Sequence, residues 1–266
     1  MRLADYHIHT PLCRHATGSP VEYARQAEAV GLAEIGFSDH NPMPQSFDDW
    51  RMDLEQLPVY FEAVQEARAA VSIPVRLGLE CDYLPENVEW IRQLAGMAPW
   101  DYLIGAVHYI RPGWDVDNPS KLDEWDKQPV DEVWMLYWAA LERCIRSGLF
   151  DVIAHADLVK KFRHQPSIDV REFYSGALLA AREHDVLFEI NTAGLRKDCR
   201  ELYPTDAFLS MAQQSGIGIV INSDAHEPLD VGRDFDLAVA AAKRAGFKGV
   251  WFLQNRQRCF QPFDAL

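Results

Sequence analysis

No two cysteines in this chain are spaced C-x-x-C, and the five that occur (Cys13, Cys81, Cys144, Cys199, Cys259) are scattered and odd in number. That argues against a disulfide framework or a closed zinc-thiolate site and predicts a reducing compartment. No run approaches the roughly 18 uninterrupted apolar residues of a membrane span. The opening MRLADYHIH lacks the apolar core of a secretory leader, so the expectation is a cytoplasmic protein. Basic charge is scarce: 26 Lys and Arg against 40 Asp and Glu leave a net charge of −14, with no basic stretch. Nucleic acids and anionic membranes are held by Lys and Arg neutralising phosphates, so neither is an expected partner. A small anionic ligand stays compatible, because bound divalent cations add local positive charge. Linkers and low-complexity segments are also missing, so residues 1–266 read as a single domain, long enough to bury a core of its own.

What is present is a repeated alternation. SPVEYARQAEAVG reads as a helix with Ser19 as N-cap, Pro20 at the first position, Glu22 closing a capping box and Gly31 as terminator, with Ala24, Ala27 and Val30 facing inward. AEIGFSDH follows as a short apolar run, then the amphipathic LPVYFEAVQEARAAV. Further apolar runs occur at VRLGLEC, DYLIGAVH, FDVIAHA, VLFEIN and IGIVINSDAH, several separated by helical segments such as VDEVWMLYWAALERCIRSG and DVREFYSGALLAAREHD. Strands alternating with helices imply parallel βαβ units, here an α/β barrel of about seven strands, with GVWFLQN as a candidate eighth. The longest irregular stretch, residues 111–129, exceeds ordinary connections and reads either as a pocket-lining loop or as a solvated excursion.

The ends of these runs carry the chemistry. They close in turn on His7 and His9, Asp39 and His40, Glu80, His108, His155, Asn191, and Asp224 with His226. A lone histidine on an apolar run is usually a hydrogen-bonded core residue, a lone glutamate a cap or ion-pair partner, and SDAH a turn. Packing gives no reason to repeat such residues at the same end of successive strands, which in a parallel barrel is the face where active sites assemble. His7 and His9, two apart on a strand, point to one side, and Asp224 and His226 do the same if strand geometry continues. Imidazoles with carboxylates and no thiolate suit an open Zn, Mn or Fe site. His164 and His184 read as ordinary solvated residues.

The segments DYHIHTPLCRHATG, GFSDHNPMP, GLECDY, LIGAVHY, AHADLVKKF, EINTAGLRK and NSDAHEP, in this order over residues 5–228, resemble the polymerase and histidinol phosphatase (PHP) family of metal-dependent phosphoesterases, and within it the branch that hydrolyses L-histidinol phosphate in histidine biosynthesis. The resemblance implies a distorted (β/α)7 TIM-like barrel holding three divalent metal ions, Zn, Fe or Mn. It implies that His7, His9, Glu80 and Asp224 hold one ion, that Glu80 bridges to a second held by His108 and His155, and that His15, His40 and His226 hold the third. The implied chemistry is attack by metal-activated hydroxide on a small-molecule phosphomonoester. By the same similarity Arg196 and Lys161 are candidate phosphate contacts, with Lys160 as the alternative to Lys161. Asp39 is read either as a proton donor to the leaving group or as a partner fixing an imidazole. Asp115, Asp117 and Trp114 are candidates for meeting the cationic end of histidinol. Relatives acting on phosphotyrosine proteins, nucleotides or DNA ends are alternatives, the last disfavoured by the acidic charge. An amidohydrolase is disfavoured by Glu80 and the added His15, His40 and His226. A non-catalytic metal-binding protein is disfavoured because no ligand position is lost.

Overall fold

The chain folds as alternating strands and helices, and the structure, a computed structural model, describes residues 3–264. In chain order the strands are β1 (Ala4–Asp5), β2 (Glu34–Phe37), β3 (Val75–Asp82), β4 (Tyr102–Ala106), β5 (Tyr109–Arg111), β6 (Trp114–Asp115), β7 (Val152–Ile153), β8 (Leu187–Asn191), β9 (Ile219–Asn222), β10 (Gly249–Gln254) and β11 (Gln257–Pro262). The helices are α1 (Pro20–Ala29), α2 (Leu57–Ala70), α3 (Val88–Ala95), α4 (Val130–Arg146), α5 (Ser175–His184), α6 (Asp206–Gln214) and α7 (Phe235–Ala245). Seven strands form one sheet in the order β1-β2-β3-β4-β7-β8-β9, and all its pairings are parallel. Each of these strands is followed by one of the helices, so the architecture is the expected (β/α)7 barrel.

Closure comes just beyond the strand ends. The chain after β1 bridges the chain after β9 at Ile8 and Ala225, with His9 N donating to Ala225 O at 3.0 Å and Ala225 N to His7 O at 3.1 Å. The seam is thus made by the segments that carry His7, His9, Asp224 and His226.

Inside the barrel Ala4, Tyr6, Tyr102, Ile104, Ala106, Val152, Ala154, Leu187 and Val220 pack together, sealed at the base by Leu253. Tyr102 sets the shape of this core. Its hydroxyl donates to the carbonyls of Tyr6 (2.6 Å) and Phe37 (3.0 Å), and its ring lies against the backbone of β2 and β3. A Cβ on Gly36 would stand 2.4 Å from its hydroxyl, and one on Gly78 would stand 2.3 Å from Cε2. Both glycines are needed for this close approach. The larger hydrophobic core lies between the sheet and the surrounding helices.

The capping box of α1 forms as read: Glu22 accepts from Ser19 N at 2.6 Å and Ser19 Oγ accepts from Glu22 N at 3.4 Å, an arrangement worth about 0.5–2 kcal/mol. Ala24 and Ala27 are buried, but Val30, at the C-cap, is half exposed rather than inward. GVWFLQN is a strand, β10, yet not a barrel stave: it pairs antiparallel with β11, and Leu253 N donates to Tyr6 Oη at 2.9 Å beneath the barrel. Residues 111–129 are less irregular than expected. They contain most of the β5/β6 hairpin and a 3-10 helix, Pro119–Lys127, capped by Asn118.

Candidate metal centre

β3 delivers Glu80, fully buried, to the middle of the barrel mouth. Around its two oxygens stand His7 Nε2 at 3.3 Å, His155 Nε2 at 3.2 Å, His9 Nε2 at 3.7 Å, His108 Nε2 at 4.0 Å and His40 Nδ1 at 2.8 Å. His9 Nε2 also lies 3.2 Å from Asp224 Oδ1. Five sets bring their donor atoms within 4.8 Å of one another: His7, His9 and Asp224; Glu80, His108 and His155; His15, His40 and His226; His9, His40 and Glu80; and His9, Cys13 and His226. The nine residues drawn from the sequence are thus brought together, with Glu80 grouped with His108 and His155 and with His9 and His40 rather than with His7, His9 and Asp224.

The imidazoles are aimed from behind. His7 Nδ1 meets Glu189 at 2.8 Å, His108 Nδ1 meets Asp82 at 2.6 Å, and His9 Nδ1 meets Asp39 at 3.4 Å. His15 Nδ1 faces Cys13 O at 2.8 Å and His226 Nδ1 faces Asp224 O at 3.1 Å. With Nδ1 tied to an oxygen, each ring offers Nε2 as an electron-pair donor. Glu189 is itself held by Asn222 Nδ2 (2.7 Å), Asn191 Nδ2 (2.6 Å) and His155 N (3.1 Å). Asn191 Nδ2 also reaches Asp224 at 3.1 Å.

Those donors fit a cation. His7 Nε2, His9 Nε2, His40 Nδ1 and Glu80 Oε2 are buried and have no hydrogen-bond partner. His40 Nδ1 and Glu80 Oε2 lie close together but out of line for a hydrogen bond. Buried polar atoms left unpaired are costly, and nitrogen and carboxylate donors converging in this way suit Zn, Mn or Fe. Cys13 also lies near His9 and His226, and burial pushes its thiol up to about 12.

Charge is divided across the mouth. Burial disfavours the charged forms of His7 and His9, but the carboxylates of Glu189, Asp224, Asp39 and Glu80 prevail, raising His7 well above the ordinary histidine value and His9 to about 9. His108 rises to about 10, the Asp82 carboxylate outweighing its burial. Glu80 and Asp224 are held well below the carboxylate range, the surrounding histidines overcoming burial. At the outer set burial wins: His40 falls to about 4, and His15 and His226 are also lowered.

Seven of the nine donors, all but His7 and His9, line a cavity of about 740 Å³. Arg196 lines it, anchored by Asp230 (3.6 Å), Asp234 (3.3 Å) and the carbonyl of Ser223 (3.2 Å). Lys161 lines it as well, with Nζ on Asp117 at 2.9 Å. Lys160 points away, buried against Leu202 O (2.7 Å) and Asp157 (3.1 Å). Asp39 stands behind His9, fully buried, accepting from Thr10 N (3.1 Å), Thr10 Oγ1 and His40 N (2.8 Å). It does not line the cavity, so its geometry is that of a partner to His9 rather than of a proton donor to a leaving group. Asp115 and Asp117 face the cavity, but Trp114 does not: it is buried edge-on against Trp125 at 5.9 Å. The aromatic side chains that do are Trp50 and Tyr203. Asp224 and His226 do not continue a strand, since β9 ends at Asn222 and Asp224 has φ of 54°. His164 is not merely solvated, its ring stacking on Trp125 at 4.2 Å.

Glu189, Asp82 and Trp50 went unread in the sequence. Asp82 lies two residues after Glu80, and Glu189 two before Asn191, so strand periodicity was the available signal for both.

Similarity to known proteins runs along nearly the whole chain. The family model described as PHP domain matches residues 5–193. A Deinococcus radiodurans protein named "Probable histidinol-phosphatase" is 41% identical over 263 residues, 98% of this chain and 99% of its own. The histidinol-phosphatase of Bacillus subtilis is 30% identical, over 89% of this chain and 98% of its own. Among solved structures, the histidinol phosphate phosphatase of Lactococcus lactis, complexed with Zn, L-histidinol and phosphate, matches with a TM-score of 0.79 at 22% identity, covering 97% of this chain and 99% of that one. At that identity the likeness is one of fold.

Proposed function

Because the chain belongs to the PHP domain family, we propose that it is a metal-dependent phosphomonoesterase that hydrolyses L-histidinol phosphate to L-histidinol and inorganic phosphate. The observation that carries this reading is the set of buried, partnerless donors on His7, His9, His40 and Glu80, of which His40 and Glu80 line a cavity that also holds Arg196 and Lys161. The relatives named for this activity, one of them 41% identical along its full length, support the choice of substrate. Residues 1–266 act as one unit in this reading, since segments following β1 and β9 meet at the metal centre.

His7, His9, Glu80 and Asp224 hold one cation, Glu80, His108 and His155 a second, and His15, His40 and His226 a third, drawn from Zn, Fe and Mn. Bound divalent cations neutralise phosphate charge and lower the pKa of a coordinated water towards neutrality. The protein's own task is placement. Glu189, Asp82 and Asp39 fix imidazole orientation, Arg196 and Lys161 meet phosphate oxygens, and the floor of the barrel keeps bulk water from approaching below. A water oxygen forms a bond to phosphorus, the bond from phosphorus to the histidinol oxygen breaks, and the proton that the water gives up ends on the departing alkoxide, so that water is split between phosphate and alcohol. Asp115 and Trp50 face the cationic end of the substrate. No nucleic acid partner is proposed, and no helix among the described residues is long and apolar enough to cross a membrane.

The test is phosphate release from L-histidinol phosphate beside p-nitrophenyl phosphate, a phosphotyrosine peptide and nucleotides, after reconstitution separately with Zn, Mn and Fe. The expected kcat/KM for histidinol phosphate exceeds the others by about a thousandfold. Equal weak rates on all of them would leave a metal-dependent phosphatase and remove the substrate.

A further inference from the structure

Loop 41–53 is joined to the metal centre through one buried guanidinium. Arg51 is almost wholly enclosed. Its Nε lies 2.8 Å and 2.9 Å from the two oxygens of Asp48, and Nη2 lies 2.6 Å from Asp48. The same Nη2 donates to Asp82 Oδ2 at 2.9 Å, while Asp82 Oδ1 holds His108 Nδ1 at 2.6 Å. Nη1 donates to Asn41 O at 3.1 Å and to Asn41 Oδ1 at 3.3 Å, and that oxygen also accepts from Asp82 N at 2.9 Å. Asn41 follows His40 in the chain. Arg51 therefore touches the supports of two candidate ligands from different strands.

Its other contacts lead to the cavity wall. The guanidinium carbon lies 4.3 Å from the centre of the Trp50 ring, and that ring stacks on Tyr109 at 6.0 Å and an interplanar angle of 7°. Tyr109 Oη donates to Asp48 at 2.9 Å, closing the circuit onto the hairpin β5/β6. Trp50 meets the rings of His40 and His108 at near right angles, at 4.6 Å and 5.4 Å. A planar fork with five donors can serve two carboxylates, an amide and a ring at once; an ammonium cannot.

We propose that Arg51 is a positioning residue that locks the aromatic wall of the substrate cavity to the ligand geometry of His108 and His40, so that metal retention and substrate binding are set together. This rests on the reading of His108 as a metal ligand.

The experiment compares R51M, R51K, D48N and H108A with the wild type in three readouts: metal per chain and metal affinity against a chelator series, kcat and KM for p-nitrophenyl phosphate and L-histidinol phosphate, and thermal melting. R51M is expected to weaken the most labile metal by about tenfold, at the lower end of the 10–100-fold typical for groups supporting ligands, and to raise KM for histidinol phosphate. R51K keeps a charge beside Asp82 but loses the fork, so metal affinity stays within about threefold of wild type while KM still rises. D48N loosens the wall alone, raising KM with metal content unchanged. If R51M and R51K only lower the melting temperature, with metal affinity, kcat and KM as in wild type, Arg51 is structural and the coupling is wrong. If R51M fails to fold, R51Q, which also removes the charge and the fork, takes its place in the metal readout, with wild-type metal affinity in R51Q overturning the coupling, while R51K and D48N test the cavity wall by KM. H108A separates the two levels: full metal content in H108A removes the ligand assignment itself, whereas loss in H108A without change in R51M and R51K removes only the coupling.

Discussion

His7 on the seam of the barrel and Glu189 on β8 are 182 residues apart in sequence, yet His7 Nδ1 and Glu189 Oε2 are separated by 2.8 Å with both side chains fully buried. Glu189 fixes which nitrogen of His7 faces the cavity and, through His155 N, where the neighbouring candidate ligand sits. Glu189→Gln keeps the shape but puts an amide where two nitrogens donate. The expected result is a loss of about 10–100-fold in metal affinity, read by chelator competition. Unchanged affinity would show that the His7 ring is aimed by packing alone.

Protons compete with metal at this centre. His9, raised to about 9, and His108, raised to about 10, both carry a proton at neutral pH in the metal-free protein. Ligation needs the neutral ring, so metal uptake releases protons, and affinity strengthens as pH climbs towards those values and weakens as it falls. Calorimetric titration of chelator-stripped protein with Zn in two buffers of different ionisation heat should give a buffer-dependent heat corresponding to roughly three protons, since His7 is raised well above the ordinary value as well. A heat independent of buffer would contradict protonated rings.

Asp115 and Asp117 both face the cavity but answer differently to removal of charge. Asp117 is the partner of Lys161 Nζ at 2.9 Å, whereas Asp115 accepts from Asn118 Nδ2 at 2.8 Å. Asp115→Asn is expected to raise KM for L-histidinol phosphate, which carries positive charge on its alcohol, and to leave p-nitrophenyl phosphate unaffected. Asp117→Asn removes the carboxylate charge from Lys161, which keeps its bond to the Asp117 carbonyl at 2.6 Å, and should change KM for both. Steady-state kinetics on the two substrates checks the contrast; equal effects of D115N on both would remove its role at the cationic end.

The barrel core gives a stability test. A Cβ on Gly78 would lie 2.3 Å from the Tyr102 ring, which is pinned by hydrogen bonds to two carbonyls. Gly78→Ala should therefore destabilise by about 1–3 kcal/mol, read as a lower urea midpoint in the metal-loaded protein. An unchanged midpoint would mean that Tyr102 can move aside without loss.

Strand ends were the legible part of this chain. His7 and His9 alternate on one strand, and Glu80, His108 and His155 each close an apolar run, so the barrel face and its donors follow from a period of two. Glu189 was less visible because it sits inside LFEIN, where a charged residue within an apolar run looks like part of the strand; its role depends on His7 from the opposite end of the chain. The wall of the cavity was hidden for a similar reason. Asp48 and Tyr109 are 61 residues apart, and nothing local in either loop declares that they meet. Trp114, the aromatic residue that proximity to Asp115 suggested, turns inward because hairpin β5/β6 packs it against Trp125. Long-range pairings of this sort are set by tertiary packing, which a single sequence does not display.

The stopper of Tyr6, Tyr102 and Leu253 at the base of the barrel bears on traffic. A tube plugged at one end has one doorway, and whatever enters through it must leave the same way. Products formed at the metal centre would leave by the mouth through which the substrate enters. The packed floor that belongs to the barrel's core thus also leaves the metal centre open to solvent from one side.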